Sequence, residues 1–387
     1  MNSKDRILNA LQRKPVDHPP LWMRFWPLGN ENHLPFPWQD QVKRAEYLVG
    51  RGVDDVLMLE PPLGYVENYD PASVEGIRIK VQVIPAGGNN DAPLLVKEYE
   101  TSRGVLCQVI RPDTAWPYGK DIHLFDDLNI PRYVEPVIKT VDDLPSLRCL
   151  LGEPSAKQMA QFAQEASILH GRATDLGIAI EGGMTALGDA AVWLCGMQQV
   201  MVAQLDNPAF VEQVLDVLVE WELLRLDRLA EAGVDFITHM AWYEGTDFWT
   251  PRCFRRLLKP RLARLVERAH AHGLPFRYII TRGWKPIQDD LLELKIDCLA
   301  GVDPVQDNID LQQVRSRLGG QICLMGGVNS AISLSQSSDE QICQEVTRAV
   351  QVLGSGSGFI LYPVDAIFTD QAWEKVEVLI DQWKSLW

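Results

Sequence analysis

The sequence predicts an α/β protein, a single (β/α)8 barrel with an N-terminal helical extension and an inserted β-hairpin region. Three observations point there. Eight short β-rich runs recur along the 387 residues, most are followed by a helical pattern, and one polar stretch after the second run breaks the rhythm. Strand and helix in alternation imply parallel strands joined by helical crossovers, and eight such units are what a closed barrel requires. Barrels with insertions reach this length as one folding unit, so one domain over 1–387 is expected.

The elements follow in order. MNSKDRILNALQRK opens the chain as a short amphipathic helix within an arm over 1–19, and PLWMRF (20–25) and VDDVLMLE (53–60) are the first two strands. Residues 61–155 depart from the pattern. They carry PAGGNNDAP and a hairpin, LLVKEYETSRGVLCQVI, turning near Ser102-Arg103-Gly104. Insertions after a barrel strand lie at the catalytic face, so this region is expected to cover the barrel mouth.

LGIAIE (176–181) resumes the alternation. Asn207-Pro208 then opens a helix as N-cap and first-turn residue, with Val211, Val214, Leu215, Leu218 and Trp221 on one stripe and Gly233 at its end. GVDFITH (233–239) is the next strand, Thr250-Pro251 opens the following helix, and Gly273 closes it before LPFRYII (274–280). DCLAGV (297–302), ICLMGGV (322–328) and GFILYP (358–363) complete the set. Gly326-Gly327 and the GSGSG run at 354–358 lack both the Lys-Ser/Thr ending of a Walker loop and the strand-G-x-G-x-x-G-helix order of a dinucleotide fold. They read as tight barrel turns, and no nucleotide is assigned.

Composition narrows the function. The apolar fraction of 46% and charged fraction of 23% are those of an ordinary globular chain rather than a disordered or fibrous one. A net charge of -15 has the wrong sign for a phosphate backbone or an anionic membrane, so nucleic acid and membrane are not expected partners. No run approaches the roughly 20 apolar residues of a membrane span, and the opening helix is unlike a signal peptide, which makes the cytoplasm the expected compartment. Seven scattered cysteines without C-x-x-C form neither a disulfide framework nor a zinc knuckle.

Segments across nearly the whole chain resemble the superfamily of uroporphyrinogen decarboxylase and the methylcobalamin-linked methyltransferases. NSKDRILNALQRKPVDHPPLWMR resembles its opening helix and first strand, and WLCGMQQVMVAQLDNPAF, LAEAGVDFI and FWTPRCFRRLLKPRLARLVERAHAHG resemble its middle. GVDPVQDNIDLQQVRSRLGGQICLMGGVNS and GSGFILYP resemble its end. The resemblance itself implies a TIM barrel. Zinc-dependent methyltransferases of this superfamily carry His-x-Cys-Gly after the fifth strand and a further Cys after the last. Here the matching segments read Ile280-Thr281-Arg282-Gly283 and Tyr362-Pro363-Val364-Asp365, which puts Ile280, Arg282 and Asp365 at the ligand positions. An aliphatic side chain and a guanidinium cannot coordinate zinc, so no metal is expected there. The decarboxylases show M-R-Q-A-G-R-Y, against Met23-Arg24-Phe25-Trp26-Pro27-Leu28-Gly29 here. Arg24 matches one arginine of that run, and Leu28 replaces the other. The family's catalytic Asp falls on Glu60, its Tyr on Val192 and its late His on Asp365.

Candidate site residues follow from strand ends, where barrel side chains enter the mouth, and from the resemblance, which implies Arg24 and the HMAWYEG loop that reaches substrate in the relatives. Asp365, Arg282, His239 and Glu244 are the catalytic candidates, with Arg282 and Asp365 expected to touch as a charge pair replacing the ion; the bland reading of each is a salt bridge or capping contact. Arg24, Trp26, Glu60, Glu181, Trp242 and Tyr243 are the substrate-binding candidates, and Asp303 also ends a strand. Aromatic side chains crowd two mouth segments, around Trp26 and around Trp242, as walls for a planar ligand or as packing of the insertion. The leading expectation is a methyltransferase moving methyl between a small substrate and a corrinoid (cobalamin) carried on a partner protein, with no tightly bound cofactor of its own. A metal-independent decarboxylase is the alternative enzyme, and a non-catalytic ligand-binding barrel is the alternative from another class.

Overall fold

The computed structural model of the chain describes residues 1–27, 32–62, 76–87, 92–184 and 187–387. Its thirteen strands in chain order are β1 (Phe25–Trp26), β2 (Val56–Leu59), β3 (Arg78–Ile84), β4 (Leu94–Thr101), β5 (Gly104–Ile110), β6 (Tyr133–Glu135), β7 (Ala179–Met184), β8 (Phe236–Met240), β9 (Phe276–Ile279), β10 (Cys298–Val302), β11 (Cys323–Asn329), β12 (Phe359–Val364) and β13 (Ile367–Phe368). Seven of them form one curled parallel sheet in the order β12-β11-β10-β9-β8-β7-β2, an α/β architecture consistent with a TIM-like fold. All seven overlap runs expected from the sequence, and β7, β8, β11 and β12 extend one to three residues beyond them. The first run behaves differently. Pro19 and Pro20 have no N–H to give a ladder, and residues 20–22 make only one isolated bridge to each edge of the sheet, Leu21 to Leu361 and Trp22 to Asp54.

Strand alternation sorts side chains between two cores. Trp22, Phe236, Ile279, Met325 and Ile360 pack together on the concave side, whereas Ile237, Tyr278, Leu299 and Leu324 join the larger core beneath the helices. The N-terminal helix Ser3–Leu11 adds Ile7, Ala10 and Leu11 to the concave cluster. Burial of Ile7 and Leu11 contributes about 1.5–3 kcal/mol each, and Arg6 pins the helix through Asp54 at 2.6 Å and Asp17 at 2.7 Å.

Between β2 and β7 the chain builds a separate antiparallel sheet, β3-β4-β5-β6. The expected hairpin is there, with Thr101 opposite Gly104 across Ser102-Arg103. The long helix spans Pro208–Glu231 and buries the stripe that its periodicity predicts, and Thr250 caps the next helix by accepting from the Cys253 N–H at 3.2 Å. The Gly326-Gly327 reading is corrected. Both lie inside β11 rather than in a turn, because β10 runs so close that a Cβ on Gly326 would stand 2.4 Å from the Val302 carbonyl oxygen. No helix among the described residues is long and apolar enough to cross a membrane.

Candidate active site

Two strand ends and one loop build the mouth. Pairing of β1 with β13 sets Phe25 beside Ile367, and the Ile367 N–H donates to the Arg24 carbonyl at 2.7 Å. That register places Arg24 and Asp365 on either side of one short ladder. The loop after β8 adds Trp242, whose ring centroid lies 5.1 Å from the Arg24 guanidinium carbon, while Trp26 lies 5.4 Å from it. The guanidinium is thus held against two indole faces. Its N–H groups reach the Met240 sulfur at 3.5 and 3.6 Å, and no carboxylate among the described residues is close enough to form an ion pair with it.

Asp365 is partly exposed, follows a cis Val364–Asp365 peptide bond, and sits against this cation. Loss of hydration raises its pKa, with the Arg24 charge and the Trp242 indole pulling the other way and Asp127 and Asp303 adding to the rise. The Trp242 indole N–H lies beside the carboxyl yet closes no hydrogen bond of good geometry, which leaves a buried donor open at the mouth. The Tyr362 hydroxyl donates to the Asp365 carbonyl, and burial holds that phenol neutral. Asp127 comes from the segment between β5 and β6, accepts the Trp193 indole N–H at 2.5 Å, and is likewise raised by burial.

His239 and Glu244 are elsewhere. On β8, Phe236 and Thr238 point to the concave side, so His239, one residue out of phase, points into the layer between sheet and helices. It is fully buried, and its Nε2 donates to Glu244 Oε1 at 3.1 Å. Glu244 also accepts from the Gly188 N–H and the Tyr278 hydroxyl, both at 2.7 Å. Asp189 accepts from the Trp242 and Tyr243 N–H groups at 3.1 and 2.6 Å and so fixes the loop that carries Trp242. Gly188 is required at the crossing, because a Cβ there would lie 2.5 Å from Glu244 Cγ. Desolvation and the neighbouring Glu244 charge push Asp189 well above the usual carboxylate range, and burial raises Glu222 to about 7 despite its partner Arg225 at 3.0 Å. This network supports the mouth from behind and does not line it.

One further expectation is corrected. Arg282 does not meet Asp365: its carbonyl is packed against Gly245, and its side chain turns outward to an exposed pair with Asp247 at 3.4 Å. Glu181 lies within the concave side but is already engaged, by Arg277 at 2.7 Å and Thr238 at 3.1 Å, with the Arg277 guanidinium 3.9 Å from the Trp22 ring centre. Asp303 caps its own loop through the Val305 and Gln306 N–H groups and accepts from Asn329. Tyr243 is half-buried beside Asp127, and Glu60 is exposed at the end of β2. Leu28 lies outside the described residues.

The zinc positions do not suit a metal. Ile280 is buried and apolar, Arg282 is outside, and Asp365 faces a cation. Among the described residues no three His, Cys, Asp or Glu side chains converge. The sequence reading missed Asp189, Tyr278, Glu222, Arg277 and Asp127. Asp189, in LGDAAVWLC, and Arg277, in LPFRYII, were each detectable as a lone charge in an apolar element.

Comparison with known proteins places the chain in context. The uroporphyrinogen decarboxylase (URO-D) family profile matches residues 114–386. Uroporphyrinogen decarboxylase of Hydrogenovibrio crunogenus is 23% identical over 363 residues, covering 92% of this chain and 89% of that protein. The Nitrosococcus oceani uroporphyrinogen decarboxylase is 21% identical over 391 residues, covering 97% and 94%. A solved methyltransferase from Methanosarcina mazei superposes over 100% of this chain and 99% of its own with a TM-score of 0.61 at 17% identity, a likeness of fold.

Proposed function

Because this chain belongs to the uroporphyrinogen decarboxylase family, we propose that it is a zinc-independent enzyme that demethylates a planar substrate bearing a single carboxylate, passing the methyl group to a corrinoid on a partner protein. The observation that carries the reading is the Arg24–Asp365 arrangement between Trp26 and Trp242. Arg24 grips the carboxylate, for which its donors are free of carboxylate partners. The two indoles clasp the ring. Asp365, whose pKa burial raises, stands beside Arg24 as the acid.

A methoxy oxygen is a poor leaving group unless it is protonated as the C–O bond breaks. Asp365 delivers a proton to the departing oxygen and regains one from solvent, with the indole N–H of Trp242 lying beside its carboxyl. The corrinoid, arriving with its partner, supplies the nucleophile that takes the methyl group. Uroporphyrinogen, with its many carboxylates, suits the mouth poorly. Arg24 is the cation beside Asp365, and Asp127 and Asp303 add negative potential around that carboxyl.

Decarboxylation of a smaller acid is the second reading, favoured by decarboxylase relatives that match along more than nine-tenths of the chain. Asp365 would then protonate the carbanion left by carbon dioxide. One assay separates the two. Purified protein is incubated with cob(I)alamin and methoxybenzoates, and the methylcobalamin spectrum is followed beside carbon dioxide release. Methylcobalamin formation is the expected result. Carbon dioxide alone transfers the site to the decarboxylase reading, and a ligand-induced melting shift with neither product reduces it to a binding barrel.

A further inference from the structure

Away from the mouth, a cleft of about 580 Å³ opens between the tip of the β4–β5 hairpin, the helix Leu144–Leu150 and the helix Pro208–Glu231. Its floor is apolar, made by Val141, Leu144, Pro145 and Val217. Two guanidiniums line it, Arg103 from the hairpin turn and Arg148 from the short helix, and neither has an ion-pair partner among the described residues.

The hairpin tip is docked rather than loose. Gly104 has φ +142°, and a Cβ there would lie 3.1 Å from the buried Ser146 hydroxyl; Ser102 Oγ stands 3.8 Å from Cys149 Sγ. This packing is what brings arginines from separate elements to one cleft. Acidic neighbours are already committed. Asp216, the carboxylate in the lining, is held by Arg261 at 2.6 Å, and Asp143 accepts from the Lys139 and Thr140 N–H groups at 2.8 Å. On a chain of net charge -15, two uncommitted guanidiniums over an apolar floor are a local reversal of sign.

We propose that this cleft is a second binding site, separate from the mouth, for a small organic dianion with an apolar body. Two planar forks approaching from different elements suit an oxyanion with several acceptor oxygens, such as a phosphate monoester or a vicinal dicarboxylate. The floor takes the ring or chain, and the Gln213 amide offers a donor and an acceptor at the rim. A volume of this size matches a ligand of metabolite or drug dimensions.

The test uses the full chain with 1-naphthyl phosphate and naphthalene-2,3-dicarboxylate as dianions, 1-naphthol and inorganic phosphate as controls, and titration calorimetry at low salt. Cys149 lines the cleft and is half-buried, so its alkylation by iodoacetamide, read by peptide mass spectrometry, reports occupancy. At least one dianion is expected to bind and to slow Cys149 alkylation, identifying phosphate or carboxylate as the preferred head. Arg103→Met and Arg148→Met should each weaken binding about tenfold and together about a hundredfold, roughly one charge-assisted contact apiece, with unchanged melting because both side chains are exposed. The proposal is overturned if neither dianion protects Cys149, if the double variant binds as well as the parent, or if either control binds as tightly as the dianions.

Discussion

Two neighbouring groups of polar side chains differ in what surrounds them. At the mouth, Arg24 and Asp365 face each other with donors to spare, an open Trp242 N–H beside them and no carboxylate paired to the arginine among the described residues. Behind the sheet, Glu244 spends both carboxylate oxygens on Gly188, His239 and Tyr278, and Asp189 is consumed by two backbone N–H groups. The first group keeps open donors beside a partly exposed carboxyl; the second, His239 Nδ1 aside, is satisfied within the buried layer behind the sheet. Candidate chemistry therefore belongs to the less complete set.

The largest effect is expected from breaking the satisfied set. Glu244→Ala strands three buried donors at once, and about 3–5 kcal/mol of stability should be lost in urea unfolding. A loss under about 1 kcal/mol would show that the network is not the scaffold described. At the mouth, Arg24→Met should weaken binding of a methoxybenzoate by tenfold or more with little change in melting, since the guanidinium packs on indoles that methionine can still touch. Equal affinity for the carboxylate and its methyl ester in the parent protein would contradict the grip assigned to Arg24.

Acidity separates the regions further. Glu222 ionises near 4.5 when unfolded and at about 7 in the fold, so the folded state binds more protons between those values. Its contribution to stability is complete below about pH 4.5 and is lost as pH rises through 7. Replacement by glutamine should flatten the pH 5–8 stability profile relative to the parent. An unchanged profile would mean that Glu222 is ionised throughout, held so by Arg225. Arg282→Met, at the exposed rim, should cost no more than about 0.5 kcal/mol, and its effect should add to that of Asp365→Asn, because the two side chains do not meet.

Much of the fold is legible because helix and strand periods differ, Asp365 is legible as a polar residue at a strand end, and Arg24 only through the family resemblance. What alternation could not reveal is phase. A parallel barrel strand is apolar on both faces, so nothing in GVDFITH says that Thr238 looks inward and His239 outward, and the strand-end position of His239 carries no phase. Arg282 was misplaced by an argument from position alone. Its backbone holds the expected strand end, but Gly245 packs so tightly against its carbonyl that the side chain leaves the mouth. The supporting carboxylates Asp189 and Glu222 lie on helices that read as ordinary core, where only the cost of an isolated buried charge marks them.

The central claim is that the chemistry resides at Asp365 and not in the His239–Glu244 network. Single-turnover rates of Asp365→Asn and Glu244→Gln, measured on fully folded protein against the methoxybenzoate that the parent demethylates, test it most directly. The expected result is a loss of about a hundredfold or more for Asp365→Asn, the usual worth of a general acid, and a change within about threefold for Glu244→Gln, whose target group never touches substrate. A Glu244→Gln variant that folds normally but turns over no faster than Asp365→Asn, or an Asp365→Asn variant with full activity, would contradict it.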